Sequence, residues 1–219
     1  MREYWNKNKW MLIITSVIIL LPILAGVLLW DQLPEKVPYH WGINGEVDGW
    51  ASKTQAVILM PVAMLAMQWL CFFLSAQDPK KQDSSGKILG LVLWIIPVLN
   101  LLLNVIVYVA ARGRTVDIGV ILPLAFGAMF VFIGNYLPKC RQSYTLGIKL
   151  PWTLNDEQNW NATHRLASKI WVGGGLLTML CALLPTATAF IVMMGILLVM
   201  CAIPTVYSYQ YYKKHKEDE

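Results

Sequence analysis

The chain has 219 residues, of which 57% are hydrophobic and only 14% are charged, and its mean hydropathy is +0.51. These values exclude an ordinary soluble domain, in which about a quarter of the residues carry a charge. The formal net charge of +5 is explained by membrane orientation and contact with anionic lipid, so nucleic-acid binding is not needed to account for it.

Six apolar segments reach or approach the length that a transmembrane helix needs, which is roughly 20 residues for a hydrocarbon core of about 30 Å. The first segment has Trp at both ends and no small-residue cleavage site after it, which indicates an uncleaved helix rather than a signal peptide. We therefore predict an all-α membrane protein, a six-transmembrane-helix bundle. The predicted spans are about 10–30, 55–76, 88–111, 117–136, 166–184 and 186–207.

The basic residues predict an orientation, because Lys and Arg in short loops favour the cytoplasmic side of the membrane. With the N-terminus inside, 14 of the 18 Lys and Arg residues are cytoplasmic and four lie on the other side. Both termini are therefore expected to be cytoplasmic. The chain then divides into a first helix with an extracytoplasmic loop (1–54), helices two to four (55–136), a cytoplasmic connection with a helix start (137–165), and two final helices with a basic tail (166–219).

The extracytoplasmic loop between the first two helices is predicted to form a small hairpin, because Asn44-Gly45 lies between VPYHW and EVDGW. One His and two carboxylates there lack the spacing of a zinc motif. We expect a stabilising network or a contact surface rather than a metal or acid–base site, and the aromatic residues also suit an interfacial belt. The candidate residues of this loop are His40, Trp41, Glu46, Asp48 and Trp50.

The connection between the fourth and fifth helices, which contains YTLGIKLPWTLNDEQNWNATHR, is unusually polar and aromatic for this chain. Asn155 is predicted to cap a helix that continues to Leu183. About 29 residues of helix extend roughly 43 Å, more than the hydrocarbon thickness, so the first turns lie outside the lipid core. Helical spacing places Trp160, His164 and Ala167 on one face and Asn161, Arg165 and Lys169 on another.

Three amide side chains, Gln68, Asn100 and Asn104, fall inside the predicted spans. Such amides usually bond across helices, whereas a polar path for a solute is the alternative. No acidic or basic residue lies in the middle of a span, which argues against ion-coupled transport. Zinc-protease, hydrolase and phosphate-loop motifs are missing from the sequence, so we predict no enzyme, cofactor or metal site. The two remaining connections are short and are assigned no chemistry.

Two blocks of motifs resemble the bacterial SdpI-type immunity proteins, integral membrane proteins that protect a producing cell from its own peptide toxin. The first block is LP at 33–34, HW at 40–41 and GEVDG at 45–49. The second is GN at 134–135, GIKLPWTL at 147–154, Trp160, and THR at 163–165. Lys149 and Leu150 stand where that family often has Arg and Thr, so the charge is retained but a bidentate donor is not.

The resemblance implies toxin resistance at the bacterial cell membrane and, in the best-known arrangement, signalling by holding a transcriptional repressor at the membrane. The loop candidates would then face a secreted toxin. The two Trp of the second block would be binding anchors and its basic residues would meet an acidic partner, with interfacial packing as the structural alternative. A small-solute transporter or permease is the other functional class left open. The cytoplasmic signature candidates are Asn135, Gly147, Lys149, Pro151, Trp152, Thr153, Trp160, His164 and Arg165.

Overall fold

A computed structural model describes residues 2–79 and 85–216 of the chain. Within these ranges the helices are α1 (Arg2–Leu28), α2 (Met60–Ala76), α3 (Ser85–Ala111), α4 (Ile118–Tyr136), α5 (Pro151–Asn155), α6 (Glu157–Leu180) and α7 (Thr186–Lys216). Strands β1 (Lys36–Trp41) and β2 (Val47–Ser52) lie between α1 and α2. Six stretches, which include every helix except the short α5, are long and apolar enough to cross a membrane. The predicted number of spans is confirmed.

Both terminal helices are longer than their predicted spans. The first begins at Arg2 rather than near residue 10, and the last continues to Lys216 rather than ending near 207. The 31 residues of α7 extend about 46 Å at 1.5 Å per residue. Because a hydrocarbon core is only about 30 Å thick, part of each long helix must carry polar turns outside it.

The chain forms two compact units, the first up to residue 76 and over 89–118, and the second over 77–88 and from 119 onward. The first unit holds α1, the two strands, α2 and most of α3. The second holds nearly all of α4 together with α5, α6 and α7. The hairpin candidates and the intramembrane amides therefore belong to one unit, and the polar connection belongs to the other.

In the first unit, β1 and β2 pair antiparallel as the predicted hairpin. Gly45 in the turn has φ of +81°, a conformation that an L side chain rarely adopts. Val37 on β1 is fully buried in an apolar cluster that also contains Val57 and Tyr108. Two strands alone are marginally stable, so this packing on the helix ends holds the hairpin in place.

The buried amides of the same unit join its helices. The Gln68 amide on α2 donates to Thr15 Oγ1 on α1 at 2.8 Å, and the Asn100 amide on α3 donates to the Ile19 carbonyl on α1 at 2.9 Å. Asn104 donates within its own helix to the Asn100 carbonyl at 2.8 Å. Cross-helix bonding is thus confirmed for Gln68 and Asn100, whose side chains tie α2 and α3 to α1.

In the second unit, α4 and α6 approach each other closely at glycines. A Cβ atom added at Gly127 would lie 2.4 Å from Met179 Cγ and 2.6 Å from the Gly175 carbonyl oxygen. Small residues allow such backbone proximity in lipid, where van der Waals packing drives helix association. Within the run of three glycines at 173–175, Gly175 makes this close contact, whereas a Cβ at Gly173 would meet nothing within 4 Å.

We expect Gly127→Ala to lower the thermal stability of the full-length protein in detergent, by about 1–3 kcal/mol, because the added methyl group overpacks the α4–α6 contact. Gly195→Ala on α7 is the matched control, since a Cβ there would meet nothing within 4 Å. It should leave stability unchanged or slightly raised, as Ala is the better helix former. Equal melting temperatures for the two variants would contradict this account of the packing.

Candidate functional site

The centre of the polar connection is a stacked pair of rings on α6. Trp160 and His164 lie one helical turn apart, with ring centroids separated by 4.1 Å and planes inclined by 22°. Both side chains are almost fully buried, at 0% and 1% exposure. The Trp160 indole N–H donates to the Cys140 carbonyl at 2.7 Å. This bond ties α6 to the start of the connection.

His164 holds the middle of the connection with both ring nitrogens. Its Nε2 accepts a hydrogen bond from the Ile148 backbone N–H at 3.0 Å, and its Nδ1 faces the Trp160 carbonyl at 2.8 Å. A backbone N–H can only donate and a carbonyl can only accept, so Nδ1 must carry the proton. The geometry therefore requires a neutral imidazole.

Gly147 lets the chain pass over this ring pair. Its φ is +113°, and an added Cβ would lie 2.7 Å from both His164 Nε2 and Trp160 Cη2. A side chain at this position would be strained by the backbone conformation and would also collide with the rings. The glycine of the GIKLPW motif is thus explained by close approach to α6.

The PWT part of the motif folds as the single helical turn α5, which begins at Pro151. The Thr153 hydroxyl is fully buried, accepts from the Leu150 N–H at 2.9 Å and donates to the Ile148 carbonyl at 2.9 Å. The Gln142 amide donates to the Thr153 and Leu154 carbonyls at 2.8 and 3.0 Å. Such bonds satisfy backbone groups that a helix of this length leaves free.

The predicted cap at Asn155 is wrong. Asn155 is the last residue of α5, and Asp156 is instead the N-cap of α6, with its Oδ1 accepting from the Gln158 and Asn159 N–H groups at 2.8 and 3.1 Å. The prediction missed the separate turn that Pro151 initiates. The long helix therefore begins at Glu157, and its cap lies one residue later than expected.

Ser208 on α7 receives two side chains from the connection and from α6. The Trp152 indole N–H donates to its hydroxyl at 2.8 Å, and the Asn159 amide donates to its carbonyl at 2.9 Å. The Trp152 ring also packs against Tyr209 and Tyr212. Asn159, Ser208 and Thr163 are fully buried, and none was singled out from the sequence, although Thr163 stood in the quoted motif.

A carboxylate from a connection that was assigned no chemistry also belongs to this site. Asp78 is 7% exposed, and its Oδ2 accepts from the Ser143 hydroxyl at 2.5 Å, from the Thr145 hydroxyl at 2.9 Å and from the Thr145 N–H at 3.1 Å. Hydrogen bonds to a charged acceptor are stronger than neutral ones. A local signal for it would have been the acid that directly precedes Pro79.

The Cys140 thiol is another buried group of the polar connection. It is 4% exposed, and burial raises the pKa of this thiol to about 12. At neutral pH the group is therefore protonated, and a thiol is a much weaker nucleophile than a thiolate. Cys140 is inert while the connection keeps this arrangement.

The exposed residues of the connection include several with positive charge. Lys149 and Arg165 are exposed, as are Asn161 and Lys169 on the predicted outer face of α6. The Trp160, His164 and Ala167 face is buried, which confirms the predicted division of the helix. Asn135 at the end of α4 is also exposed and lies outside the hydrogen-bonded network of the described residues.

The interpretation of both Trp residues as exposed anchors is therefore wrong for Trp160, whose side chain has 0% exposure. Trp152 is half-buried against α7. His164 forms part of a buried hydrogen-bonded network. The residues that a partner can reach directly include Tyr144, Lys149, Pro151 and Arg165.

In the first unit the hairpin brings His40 and Asp48 together, with Nδ1 and Oδ1 2.5 Å apart and both side chains more than half exposed. Trp41 packs against the apolar cluster beneath the hairpin. Trp50 is 56% exposed, and Glu46 is exposed. No group of three or more His, Cys, Asp or Glu that could hold a metal ion occurs in residues 2–79 and 85–216.

We expect Gly147→Ala to destabilise the connection through both backbone strain, about 1–2 kcal/mol, and overpacking against the ring pair, about 1–3 kcal/mol. Gly113→Ala measures the backbone strain alone, because Gly113 also has positive φ, +75°, yet a Cβ there would meet nothing within 4 Å. The melting temperature of the full-length protein in detergent should fall further for Gly147→Ala than for Gly113→Ala. Equal losses in the two variants would contradict the packing role of Gly147.

Comparison with known proteins matches both regions just described. Residues 139–208 match the SdpI/YfhL protein family, and residues 17–65 match a domain of unknown function (DUF1648). Immunity protein SdpI of Bacillus subtilis (strain 168) is 28% identical over 206 residues, which cover 92% of this chain and 96% of that protein. No solved structure matches the chain. The resemblance drawn from the motifs is thereby confirmed, and the chain is a multi-pass cell-membrane protein that is similar to the SdpI/YfhL protein family over residues 139–208.

Proposed function

We propose that this protein is a membrane immunity protein that gives its cell resistance to a secreted antimicrobial peptide toxin. The observation that carries the proposal is the similarity to Immunity protein SdpI along nearly the whole of both chains. Both motif blocks lie in structured parts, the hairpin of the first unit and the buried network of the second. The mechanism is binding rather than catalysis.

The proposed topology places both termini in the cytoplasm and the hairpin outside. It rests on the 14-to-4 division of Lys and Arg between the two sides. The chain then consists of an entry helix with its external hairpin (1–54), a helical middle (55–136), a cytoplasmic connection (137–165) and a final helical pair (166–219). A secreted toxin meets the hairpin at the membrane surface, where Trp50 and Glu46 are exposed.

The connection is proposed as an output surface for a cytoplasmic partner, with a transcriptional repressor as the partner class that the family resemblance implies. Its accessible groups, Tyr144, Lys149 and Arg165, favour a partner with acidic and apolar contacts. Toxin occupancy shifts this surface only if the toxin binds one arrangement of the protein better than another.

Transport is the less supported function. The amides of Gln68 and Asn100 are occupied in bonds between helices, as is usual for structural polar groups in lipid. A permease would instead lose solute uptake when Asn100 is replaced by Leu while survival in the presence of toxin stays unchanged.

We expect the protein to protect sensitive bacteria from the culture supernatant of its native host, and Trp50→Ala to reduce the tolerated dose by about tenfold, equivalent to ~1.4 kcal/mol of binding. Trp94→Ala is the matched control, since Trp94 is another exposed indole, at 44%, but lies on α3. Survival no better than with an empty vector would refute the immunity function. Protease-treated supernatant should be harmless to both strains if the toxin is a peptide.

The output role of the connection is tested by labelling Cys140 with a maleimide in a variant whose other cysteines, Cys71, Cys181 and Cys201, are replaced by Ala. Because burial raises the pKa of Cys140 to about 12, labelling reports opening of the segment above it. We expect toxin-containing supernatant to accelerate labelling by about tenfold, equivalent to ~1.4 kcal/mol in the opening equilibrium. An unchanged rate in cells that survive would contradict the signalling role while leaving immunity intact.

A further inference from the structure

The segment that carries the hairpin has the opposite charge from the rest of the protein. Residues 31–53 contain four acids, Asp31, Glu35, Glu46 and Asp48, and two lysines, Lys36 and Lys53, which gives a formal charge of −2 in a chain whose net charge is +5. The positive-inside rule explains the scarcity of Lys and Arg in such a segment, but acids contribute little to that rule. The acid excess therefore needs a separate explanation.

One of the two lysines is unavailable to a partner. Lys53 is 8% exposed, and its Nζ donates to the Trp30 carbonyl at 3.1 Å and pairs with Glu35 Oε1 at 3.2 Å. Its ammonium group also lies 5.2 Å from the centre of the Trp30 ring. This lysine neutralises Glu35 and fixes the base of the hairpin.

The remaining carboxylates are accessible. Asp31 and Glu46 are exposed, and neither side chain has a hydrogen bond or ion pair with the described residues. Asp48 is 54% exposed and bonded to His40. An excess of acids in one short segment creates a negative potential that attracts cations and steers their approach.

Apolar side chains lie next to these carboxylates in the hairpin. Trp50 is 56% exposed, Tyr39 47% and Ile43 46%. Trp50 lies two residues from Asp48, and Ile43 lies in the turn that Glu46 closes through its carbonyl, which accepts from the Gly42 N–H at 2.8 Å. Aromatic faces also attract ammonium and guanidinium groups.

We propose that the exposed side chains of residues 31–53 bind a cationic amphipathic peptide, whose basic side chains meet Asp31, Glu46 and Asp48 and whose apolar side chains pack on Trp50, Tyr39 and Ile43. The inference rests on the proposed function, since it names the chemistry of the toxin that the hairpin receives. A lipid surface is the weaker occupant, because an anionic bilayer repels the acids and a neutral bilayer does not attract them.

The test uses the full-length protein in nanodiscs of phosphatidylcholine, which has no net charge. Two fluorescent peptides of equal length, one alternating Lys with Leu and the other Glu with Leu, are titrated and followed by anisotropy. We expect the Lys–Leu peptide to bind about tenfold more tightly, an advantage that added salt removes. Equal affinity of the two peptides would overturn the proposal, as would equal binding of the Lys–Leu peptide to protein-free nanodiscs, which would make lipid the occupant.

Variants locate the binding face. Asp31→Asn combined with Glu46→Gln should weaken Lys–Leu binding about fivefold, because each exposed charge pair contributes up to about 1 kcal/mol. The matched control is Glu3→Gln combined with Glu157→Gln, which removes two exposed carboxylates outside the hairpin and should change nothing. Trp50→Ala should weaken binding independently of charge. If the control pair weakens binding as much as the hairpin pair, the proposed face is wrong.

The outcomes are distinct from those of the survival experiment. Protection from native supernatant without preference for the Lys–Leu peptide would leave the immunity function standing and reject the cationic partner. If the Lys–Leu peptide binds preferentially but the protein gives no protection, the immunity function is rejected. The assignment of a cationic peptide as the toxin is then rejected with it.

Discussion

The ring pair of Trp160 and His164 is the contact on which the polar half of this protein depends. Six stretches of the chain are apolar enough to enter a bilayer, so a polar connection between two of them must satisfy its own backbone groups where lipid and packed helices exclude water. The pair does so at two points, through the Cys140 carbonyl and the Ile148 N–H. The bond from Ile148, together with the bond from His164 Nδ1 to the Trp160 carbonyl, also fixes the neutral tautomer and the orientation of the imidazole.

The same requirement is met differently in the first unit. There the polar groups are single amides inside apolar helices, and the bonds from Gln68 and Asn100 to α1 hold three helices together. Gln68 Oε1 is the one buried side-chain oxygen or nitrogen without a hydrogen bond among the described residues. One unit therefore uses isolated amides between helices, whereas the other concentrates its polar groups in a connected network around α6.

The sequence was sufficient to predict the parts that depend on local pattern. Bilayer thickness imposes the lengths of the apolar runs, and Asn44-Gly45 specifies the hairpin turn through local conformation. Contacts between distant residues were not accessible in this way. Asp78 is buried only because Ser143, 65 positions later, returns to it, and the cap moved from Asn155 to Asp156 because Pro151 starts a separate turn. The burial of Trp160 could not be predicted from the sequence, because it depends on the Gly147 segment that passes over the ring.

That burial also determines what opening of the connection would cost. Exposing the ring pair requires the Gly147–Ile148 segment to lift, with loss of the bond to His164 and of the packing over both rings. Each lost hydrogen bond costs roughly 1 kcal/mol and a buried group left unpaired costs more. A ligand must favour the open arrangement by about 5.5 kcal/mol to change its population from 1:99 to 99:1. A toxin bound only by exposed charges, at about 1 kcal/mol or less for each pair, would not supply this difference. Under the proposed function, apolar contacts such as those of exposed Trp50 would have to add to the charge pairs, and the tenfold opening expected in the labelling experiment, ~1.4 kcal/mol, is a partial shift of this equilibrium.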